Sequence, residues 1–287
     1  PVGLIAGLFV AQQFILKNLK SDNIMDFNAL DEATKIAIKT SDLLIIRNPY
    51  VILGIVLIGI FIVFLVSKMP QSKDENNFPS IGDTIFALKN NTNYIFGVIA
   101  QILYVGAQIM CWTYIYQYAE AISIDAVTAG YYQMIAFILF IIGRAIGTYL
   151  LKHTNPGKLL LYFAILSIVF IQGTIFITGI VGLYALVGVS FFMSIMFPTI
   201  YGVALCDLTE EQSKIGSAGL VMAIVGGALM PKLQGLIIDA GGNGVDDIKI
   251  LGVSEVNFSF TLPLICFLFI AWYGLNVFTN ILQKNNV

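Results

Sequence analysis

Residues 104–120 read YVGAQIMCWTYIYQYAE. This stretch holds one tryptophan, two glutamines and four tyrosines, yet it continues a long apolar run. The whole chain of 287 residues is 58% hydrophobic and only 11% charged, with a mean hydropathy of +0.87. Soluble domains are about 45–50% apolar and about 25% charged. The chain is therefore predicted to be an integral membrane protein, and the quoted stretch to be a polar face inside a membrane span.

Long apolar segments recur along the whole chain. A helix needs about 20 mostly apolar residues to cross a bilayer, whereas a strand of a membrane barrel shows about 10 alternating residues. The segments here are long and continuous, so they predict an all-α membrane protein. We predict about eight spans, at residues 1–16, 44–66, 94–117, 125–151, 157–178, 180–205, 215–238 and 257–281.

The first predicted span differs from the others. It is short, it ends before Lys17, and the chain opens on Pro1 instead of an initiator methionine. A secretory signal peptide is the alternative interpretation, but no basic segment precedes the apolar residues and no small-residue cleavage pattern follows them. We therefore expect the chain to be the C-terminal part of a longer protein.

Lysine and arginine in the short loops predict the orientation of the spans. The loops at 68–92 and 152–158 contain lysines and are predicted to be cytoplasmic, whereas the loops near 119–124 and 178–181 contain neither residue. Residues 17–43 carry charges of both signs, and they are predicted to form an amphipathic or flexible extracytoplasmic loop.

A polar linker divides the chain into two groups of spans. It contains MPQSKDENNFP, and it is preceded by two predicted spans and followed by six. This is the layout of a transporter built from two six-helix halves. We predict that residues 1–66 are the last two spans of the first half, that 67–92 form a cytoplasmic linker, and that 93–287 form the second half.

Polar and aromatic residues of the third predicted span share one stripe about 120° wide, at about 100° per residue. The stripe contains Gln101, Tyr104, Gln108, Trp112 and Tyr116. Tyr114 lies on the opposite side of the helix. An unpaired polar group that faces hydrocarbon is costly, so the stripe should face either other helices or a water-filled cavity.

Gln108 and Trp112 are predicted to face a substrate. Gln108 lies near the middle of its span, and Trp112 follows one turn later. An aromatic face beside an amide suits sugars, because their rings have C–H faces and hydroxyl edges. The alternative is that Gln108 joins neighbouring helices and that the tyrosines are anchors at the membrane interface. In TAGYYQMIAF, Tyr132 or Gln133 is a further candidate for the cavity wall, with helix packing as its alternative.

Arg144 ends the fourth predicted span on the cytoplasmic side. An arginine so close to hydrocarbon needs a partner or must extend to water. Asp207 closes the 180–205 span on the same side and is the predicted partner, with Glu210 as second choice. Such a pair would act as a cytoplasmic latch. The alternative is that Arg144 is a basic residue that marks the helix end.

The sequence lacks the residues that several classes of function require. The net charge is only −2, which offers no basic surface for nucleic acid. Cys111, Cys206 and Cys266 lie in apolar runs without a CxxC pattern, so no metal site, disulfide or cofactor is expected. A membrane-embedded enzyme would need paired carboxylates or a histidine cluster within the spans. No Asp or Glu lies at the middle of a predicted span, where proton-coupled carriers place one.

Pro198 and Pro231 interrupt two of the predicted spans. Proline removes a helix hydrogen bond, so each is a candidate for a bend. Glycines surround both positions, and small residues let membrane helices approach closely.

Four segments together resemble one family of transporters. They are YVGAQIMCW at 104–112, GRAIGTYLL at 143–151, FFMSIMFPTIYG at 191–202 and GSAGLVMAIVGGALMPKLQGLIID at 216–239. In this order they are similar to the seventh, eighth, tenth and eleventh spans of the L-fucose/proton symporter family of the major facilitator superfamily. The resemblance covers essentially the whole chain, and the CW ending of the first segment favours the fucose type over glucose/galactose relatives.

The resemblance implies a twelve-span protein that alternates between outward and inward openings and takes up one proton with each sugar. The proton is the coupling ion, and its carboxylates lie in the first and fourth spans of the family. Pro1 and Gly3 match the end of a motif in the fifth span, so the carboxylates are expected before residue 1. The chain alone is therefore not expected to transport.

The resemblance also implies a monosaccharide substrate, a bacterial inner-membrane location in a lipid bilayer, and a monomer at full length. Gln108 and Trp112 would face the sugar, with Tyr104, Tyr132 and Phe197 as the wall. Fucose-type members often have an aromatic hydroxyl where this chain has Phe197. Because a lost hydroxyl weakens rejection of similar sugars, a glucose/galactose-type transporter remains an alternative, as does a sugar receptor without transport.

Overall fold

The structure is a computed structural model that describes residues 31–67, 81–242 and 248–285, together with Gly3, Gly7 and Phe9. Within these residues, the α-helices are α1 (Glu32–Val66), α2 (Ile81–Asn90), α3 (Thr92–Thr113), α4 (Ile115–Ala121), α5 (Ala126–Leu151), α6 (Pro156–Phe176), α7 (Ile180–Met193), α8 (Met196–Leu205), α9 (Glu210–Met222), α10 (Gly226–Ile238), α11 (Glu255–Ser259) and α12 (Thr261–Asn285). Short 3₁₀ turns at Ala223–Val225 and Asp239–Gly241 follow α9 and α10.

Seven helical segments of the described residues are long and apolar enough to cross a membrane. They are Glu32–Val66, Thr92–Ala121, Ala126–Leu151, Pro156–Phe176, Ile180–Leu205, Glu210–Gly241 and Glu255–Thr279. Each corresponds to a span predicted from the sequence, which confirms the all-α membrane class. The predicted span at 1–16 lies outside the described residues, apart from three isolated positions.

The chain divides into two compact units, Gly3–Asn77 and Phe78–Val287, the second of which also takes Pro1–Val2. The division falls inside the predicted linker at 67–92. Assignment of the two units to the halves of a twelve-span protein stays a prediction.

Helix α1 begins earlier than the sequence predicted. Asp31 caps it by accepting from the Thr34 backbone N–H at 3.2 Å, and Lys35 pairs with Glu32 at 3.1 Å. These local interactions stabilise the first turns of a helix. The prediction of a loop at 17–43 is therefore wrong from residue 32 onward, because the charged residues continue the helix instead of ending it.

The predicted linker also contains a helix. In α2, Thr84 and Leu88 are one turn apart and both are buried. Leu88 joins a hydrophobic cluster with Tyr94, Ala204 and Leu220. Residues 81–90 of the predicted linker thus form a short helix that packs on α9 through a one-sided apolar pattern, and the role of 67–92 as the linker between two halves stays a prediction.

Helix α3 is the centre of the second unit. It packs against α7, α8, α10 and α12, and α12 packs in turn along α6. Its side chains Tyr104 and Met110 are fully buried. The predicted polar stripe therefore lies on a helix that other helices of this unit enclose.

Capping residues fix several helix starts at the ends of the spans. Asp125 accepts from the Thr128 backbone N–H at 2.9 Å, and Asn155 accepts from the Gly157 backbone N–H at 2.9 Å. The hydroxyl and backbone N–H of Thr128 lower the pKa of the Asp125 carboxyl. These caps explain why the predicted boundaries of α5 and α6 lie within a residue or two of those observed.

A small antiparallel hairpin precedes the last span. Strands β1 (Lys249–Ile250) and β2 (Val253–Ser254) pair Ile250 with Val253. Leu251 and Gly252 form the turn with φ values of 53° and 88°, and such a two-residue turn with positive φ suits the twist of a hairpin. The hairpin is a local addition to a helical fold.

Candidate functional site

The polar atoms of two stripe residues point at helix α7. The Tyr104 hydroxyl donates to the Met193 carbonyl at 2.9 Å, and the Trp112 Nε1–H donates to the Ser190 hydroxyl at 3.2 Å. Both side chains are buried, with Tyr104 completely enclosed. In this conformation the two residues therefore join α3 to α7, and whether either contacts a substrate stays a prediction.

Aromatic rings of α5 enclose Trp112 on another side. Its ring meets those of Phe137 and Phe140 edge to face, with centroid distances of 4.8 and 5.2 Å. Edge-to-face pairs are favourable and directional. The indole is consequently fixed by three contacts, which makes it a rigid support for the turn of α3 that carries Gln108.

Gln108 is half-buried and forms no hydrogen bond with any described residue. Its amide offers donors and an acceptor that no described residue uses. It lies one turn before Trp112, on the stripe that the sequence predicts. Of the predicted substrate-facing pair, Gln108 is therefore the one with polar atoms available to a ligand.

Phe197 extends this region along α8. Its ring centroid lies 6.2 Å from that of Tyr104 and 6.4 Å from that of Tyr201, with the second pair stacked. Phe197 and Tyr201 are half-buried. The predicted wall residues Tyr104 and Phe197 are thus in contact, and Tyr201 adds a hydroxyl one turn away that the sequence analysis did not single out.

Tyr132 lies against helix α7. Its ring centroid is 6.0 Å from that of Tyr184, and both residues lie in the first two turns of their helices. Tyr184 is 56% exposed. The structure pairs Tyr132 with Tyr184, and its role as cavity wall stays a prediction.

Tyr114 points away from the stripe, as the helical period predicts. Its hydroxyl donates to the Pro231 carbonyl of α10 at 2.6 Å, and the Gly235 backbone interacts with the same hydroxyl. Helix α3 ends at Thr113, directly before this residue, and α4 begins at Ile115, directly after it. Tyr114 therefore connects the break between α3 and α4 to the proline turn of α10.

The two residues of the predicted latch lie towards the ends of different helices. Arg144 is exposed on α5, and Asp207, which follows α8, is also exposed. Glu210, the second choice, pairs with Lys214 at 3.5 Å within α9. A latch between Arg144 and Asp207 stays a prediction.

Sequence reasoning missed a buried hydrogen-bond network that joins three spans. The Asn257 side-chain amide donates to the Thr174 carbonyl at 2.8 Å, and the Tyr118 hydroxyl donates to the Ile177 carbonyl at 3.1 Å. Ser254 caps α11 and also donates to the Asn257 side-chain oxygen at 2.8 Å. The signal was the pattern Ser-x-x-Asn at the start of the last span, which is typical of a helix N-terminus.

No group of three or more His, Cys, Asp or Glu residues that could hold a metal ion occurs within the described parts of the chain. Cys111 and Cys266 are buried and Cys206 is exposed, and no disulfide joins any of them. The chemistry available at the candidate site is therefore hydrogen bonding by Gln108 beside aromatic rings.

Comparison with known proteins gives this geometry a context. The family model of the Major Facilitator Superfamily matches residues 40–231. An L-fucose-proton symporter from Haemophilus influenzae is 48% identical over 281 residues, which is 96% of this chain and 64% of the relative. The Escherichia coli L-fucose-proton symporter is 31% identical over 84% of this chain and 56% of its own length. A glucose/galactose transporter from Brucella abortus is 28% identical over 80% of this chain and 53% of its own length.

Solved structures support the same relation. A crystal structure of the E. coli fucose:proton symporter FucP matches with a TM-score of 0.70 at 28% identity, covering 96% of this chain and 66% of that one. A second crystal structure of FucP, in the outward conformation, also gives a TM-score of 0.70. The chain thus spans less than two thirds of the length of the relatives that it matches. Since the family model covers well over half of the 287 residues, the chain belongs to the Major Facilitator Superfamily.

Proposed function

We propose that this protein is a proton-coupled symporter of L-fucose or a similar monosaccharide that works by alternating access. One observation carries the proposal: the 48% identity to the H. influenzae L-fucose-proton symporter extends over 96% of the chain. Identity to the B. abortus glucose/galactose transporter is 28% over 80% of the chain, so the fucose type is favoured. The relatives are transporters by name, so an enzyme is a much less favoured class of function.

The proposed sugar site lies on the Gln108 turn of α3. The Gln108 amide would bond sugar hydroxyls, and the rings of Trp112 and Phe197 would face the C–H side of the sugar. Support comes from the free polar atoms of Gln108 and from the rigid setting of Trp112 between α5 and α7. Tyr104 and Tyr132 complete the proposed wall.

The remaining parts of the proposal concern the membrane location, the coupling ion and the oligomeric state. The seven apolar helices support a multi-pass protein in a lipid bilayer, and the bacterial relatives support the inner membrane. The proton is proposed as the coupling ion, and no cofactor is invoked. We propose a monomer without a nucleic-acid partner.

Reconstitution of the gene's full product into proteoliposomes tests the function. An inward gradient of L-fucose should make the outside medium more alkaline, because each sugar enters with a proton. D-galactose and L-arabinose, added as competitors, rank the substrates. Sugar binding without proton movement would favour a receptor, and sugar uptake without proton movement would remove the coupling.

A second arm uses residues 1–287 alone. The chain spans 64% of the length of the H. influenzae relative, so it is expected to show no proton-coupled uptake. Uptake at the rate of the full product would contradict the expectation that the activity needs more than this chain.

A further inference from the structure

Gln101 is the most isolated polar side chain of α3. It is fully buried, and neither its Nε2 nor its Oε1 has a hydrogen-bond partner among the described residues. A buried amide without partners is costly, and native proteins retain few of them. In a protein that changes conformation, such a group indicates a hydrogen-bond partner that is absent from this conformation.

The neighbours of Gln101 show which helix covers it. A methyl group added at Gly97, one turn before, would overlap Ala204, and the Tyr104 ring lies 6.2 Å from that of Phe197. Gly97, Gln101 and Tyr104 share one face of α3 by the helical period. Ala204 and Phe197 are both on α8, so α8 borders this face of α3, and the Tyr273 hydroxyl of α12 lies 3.0 Å from the same added methyl position.

Helix α8 is half of a broken span. It is separated from α7 at Ser194–Ile195, and Pro198 lacks the N–H that would have bonded the Ser194 carbonyl. Gly202 on α8 has no atom within 4 Å of the position that a Cβ would take. Broken helices border the substrate sites of many transporters, and alternating access moves one group of helices against another. A shift of α8 would uncover Gln101.

Gln234 provides the contrast. It is also fully buried, and its Oε1 is also without a partner among the described residues, but its Nε2 donates to the Ser259 hydroxyl at 2.9 Å. That hydroxyl donates to the Val256 carbonyl at 2.6 Å, so it must accept from Gln234. Gln234 is therefore anchored between α10 and α11, whereas no described residue forms a hydrogen bond with the Gln101 side chain.

We propose that Gln101 is a specificity-determining residue that α8 covers in this conformation and that bonds a sugar hydroxyl once α8 has moved away from α3. The proposal rests on the proposed sugar transport and adds a second amide to that of Gln108, seven residues earlier on the stripe. The two amides would hold different hydroxyls of the sugar at different stages of the transport cycle.

The first test compares Gln101→Met with Gln234→Met in the gene's full product. Methionine keeps the length of the side chain and removes the amide. We expect Gln101→Met to leave the Tm unchanged or raise it and to increase the Kd for L-fucose about tenfold, the worth of one good hydrogen bond. Gln234→Met should lower the Tm and leave the Kd unchanged. A lower Tm with an unchanged Kd for Gln101→Met would overturn the proposal.

The second test does not depend on sugar. In a Cys206→Ser background, which removes the exposed thiol, Gln101→Cys and Ala100→Cys are treated with a small thiol reagent. Ala100 is the matched control because it is equally buried on the neighbouring position of α3. We expect Gln101→Cys to react at least about tenfold faster, since movement of α8 exposes it. Equal rates would overturn the movement.

The two tests distinguish failure of the proposed function from failure of the proposed helix movement. If the wild-type protein binds none of the three sugars, the proposed function fails and the sugar is excluded as the partner of Gln101. The labelling rates then still decide whether α8 uncovers this residue.

Discussion

The spans at Ile180–Leu205 and Glu210–Gly241 are both broken near the middle, and both breaks meet α3, yet they are stabilised in different ways. The first break is enclosed: Met193, Ser194 and Ile195 are all fully buried. Its Met193 carbonyl accepts from the Tyr104 hydroxyl. A side-chain hydrogen bond thus satisfies a backbone carbonyl at the end of α7.

The second break lies at the surface of the unit. In the 3₁₀ turn at Ala223–Val225, Ile224 and Val225 are 51% and 49% exposed, whereas Ala223 is buried. Gly226 directly after the turn comes so close to α3 that a methyl group there would overlap the Ile102 carbonyl. Close backbone contact through a glycine stabilises this break.

The difference predicts which half-span moves. At Gly226 the close contact is between two helix backbones, whereas Gly97, the glycine of α3 that faces α8, comes closest to a side chain, that of Ala204. Helix α8 should therefore shift relative to α3 more readily than α10 does.

The largest effect is expected at the glycine contact. Gly226→Ala would force apart two helix backbones, and overpacking of this kind costs about 1–3 kcal/mol. The Tm in detergent should fall strongly. Gly202→Ala on α8 is the control, because its added methyl group meets no atom within 4 Å and alanine favours a helix over glycine. If both variants melted at the same temperature, the glycine contact would not hold α10.

A smaller effect is expected from Tyr104→Phe. The change removes the donor to the Met193 carbonyl and leaves that carbonyl buried, at a cost of about 1–2 kcal/mol. Because the bond fixes the end of α7, the variant should also increase thiol labelling of Gln101→Cys. A lower Tm without faster labelling would show that Tyr104 does not control α8.

Tyr114→Phe should have the smallest effect of the three. Its hydroxyl donates to the Pro231 carbonyl, but the side chain is only half-buried, so about 0.5–1 kcal/mol is expected. Labelling of Gln101→Cys should not change, since Tyr114 contacts α10 and not α8. Faster labelling would mean that the two breaks are coupled through α3.

Hydropathy predicts the spans of this chain well and their breaks poorly. Span 125–151 was predicted and α5 is Ala126–Leu151, because apolar length is a local property. Pro198 was correctly taken as a sign of a bend, but the break falls at Ser194, the residue whose carbonyl the proline leaves without a donor. Pro231, in contrast, lies inside a continuous α10. Its ring is tolerated there, and the 3₁₀ turn comes earlier.

The candidate site was predictable only in part. The helical period placed Tyr104 and Trp112 on one face of α3, and both do point to α7. The helical period could not show whether this face of α3 meets another helix or a cavity. Ser190, the hydrogen-bond partner of Trp112, is 78 residues away in sequence. The Asn257 network was missed for the same reason. Contacts between distant segments depend on tertiary packing, and a local sequence pattern does not contain that information.

The most direct test of a sugar site on α3 uses the two tryptophans of the chain. Trp112 lies one turn from Gln108, whereas Trp272 on α12 is 43% exposed and serves as the control. L-Fucose should change the tryptophan fluorescence of the gene's full product, and the change should vanish in Trp112→Phe and persist in Trp272→Phe. Gln108→Ala should raise the sugar concentration at half-maximal change about tenfold. A change that survives Trp112→Phe, or one that Gln108→Ala leaves untouched, would contradict a sugar site on this face.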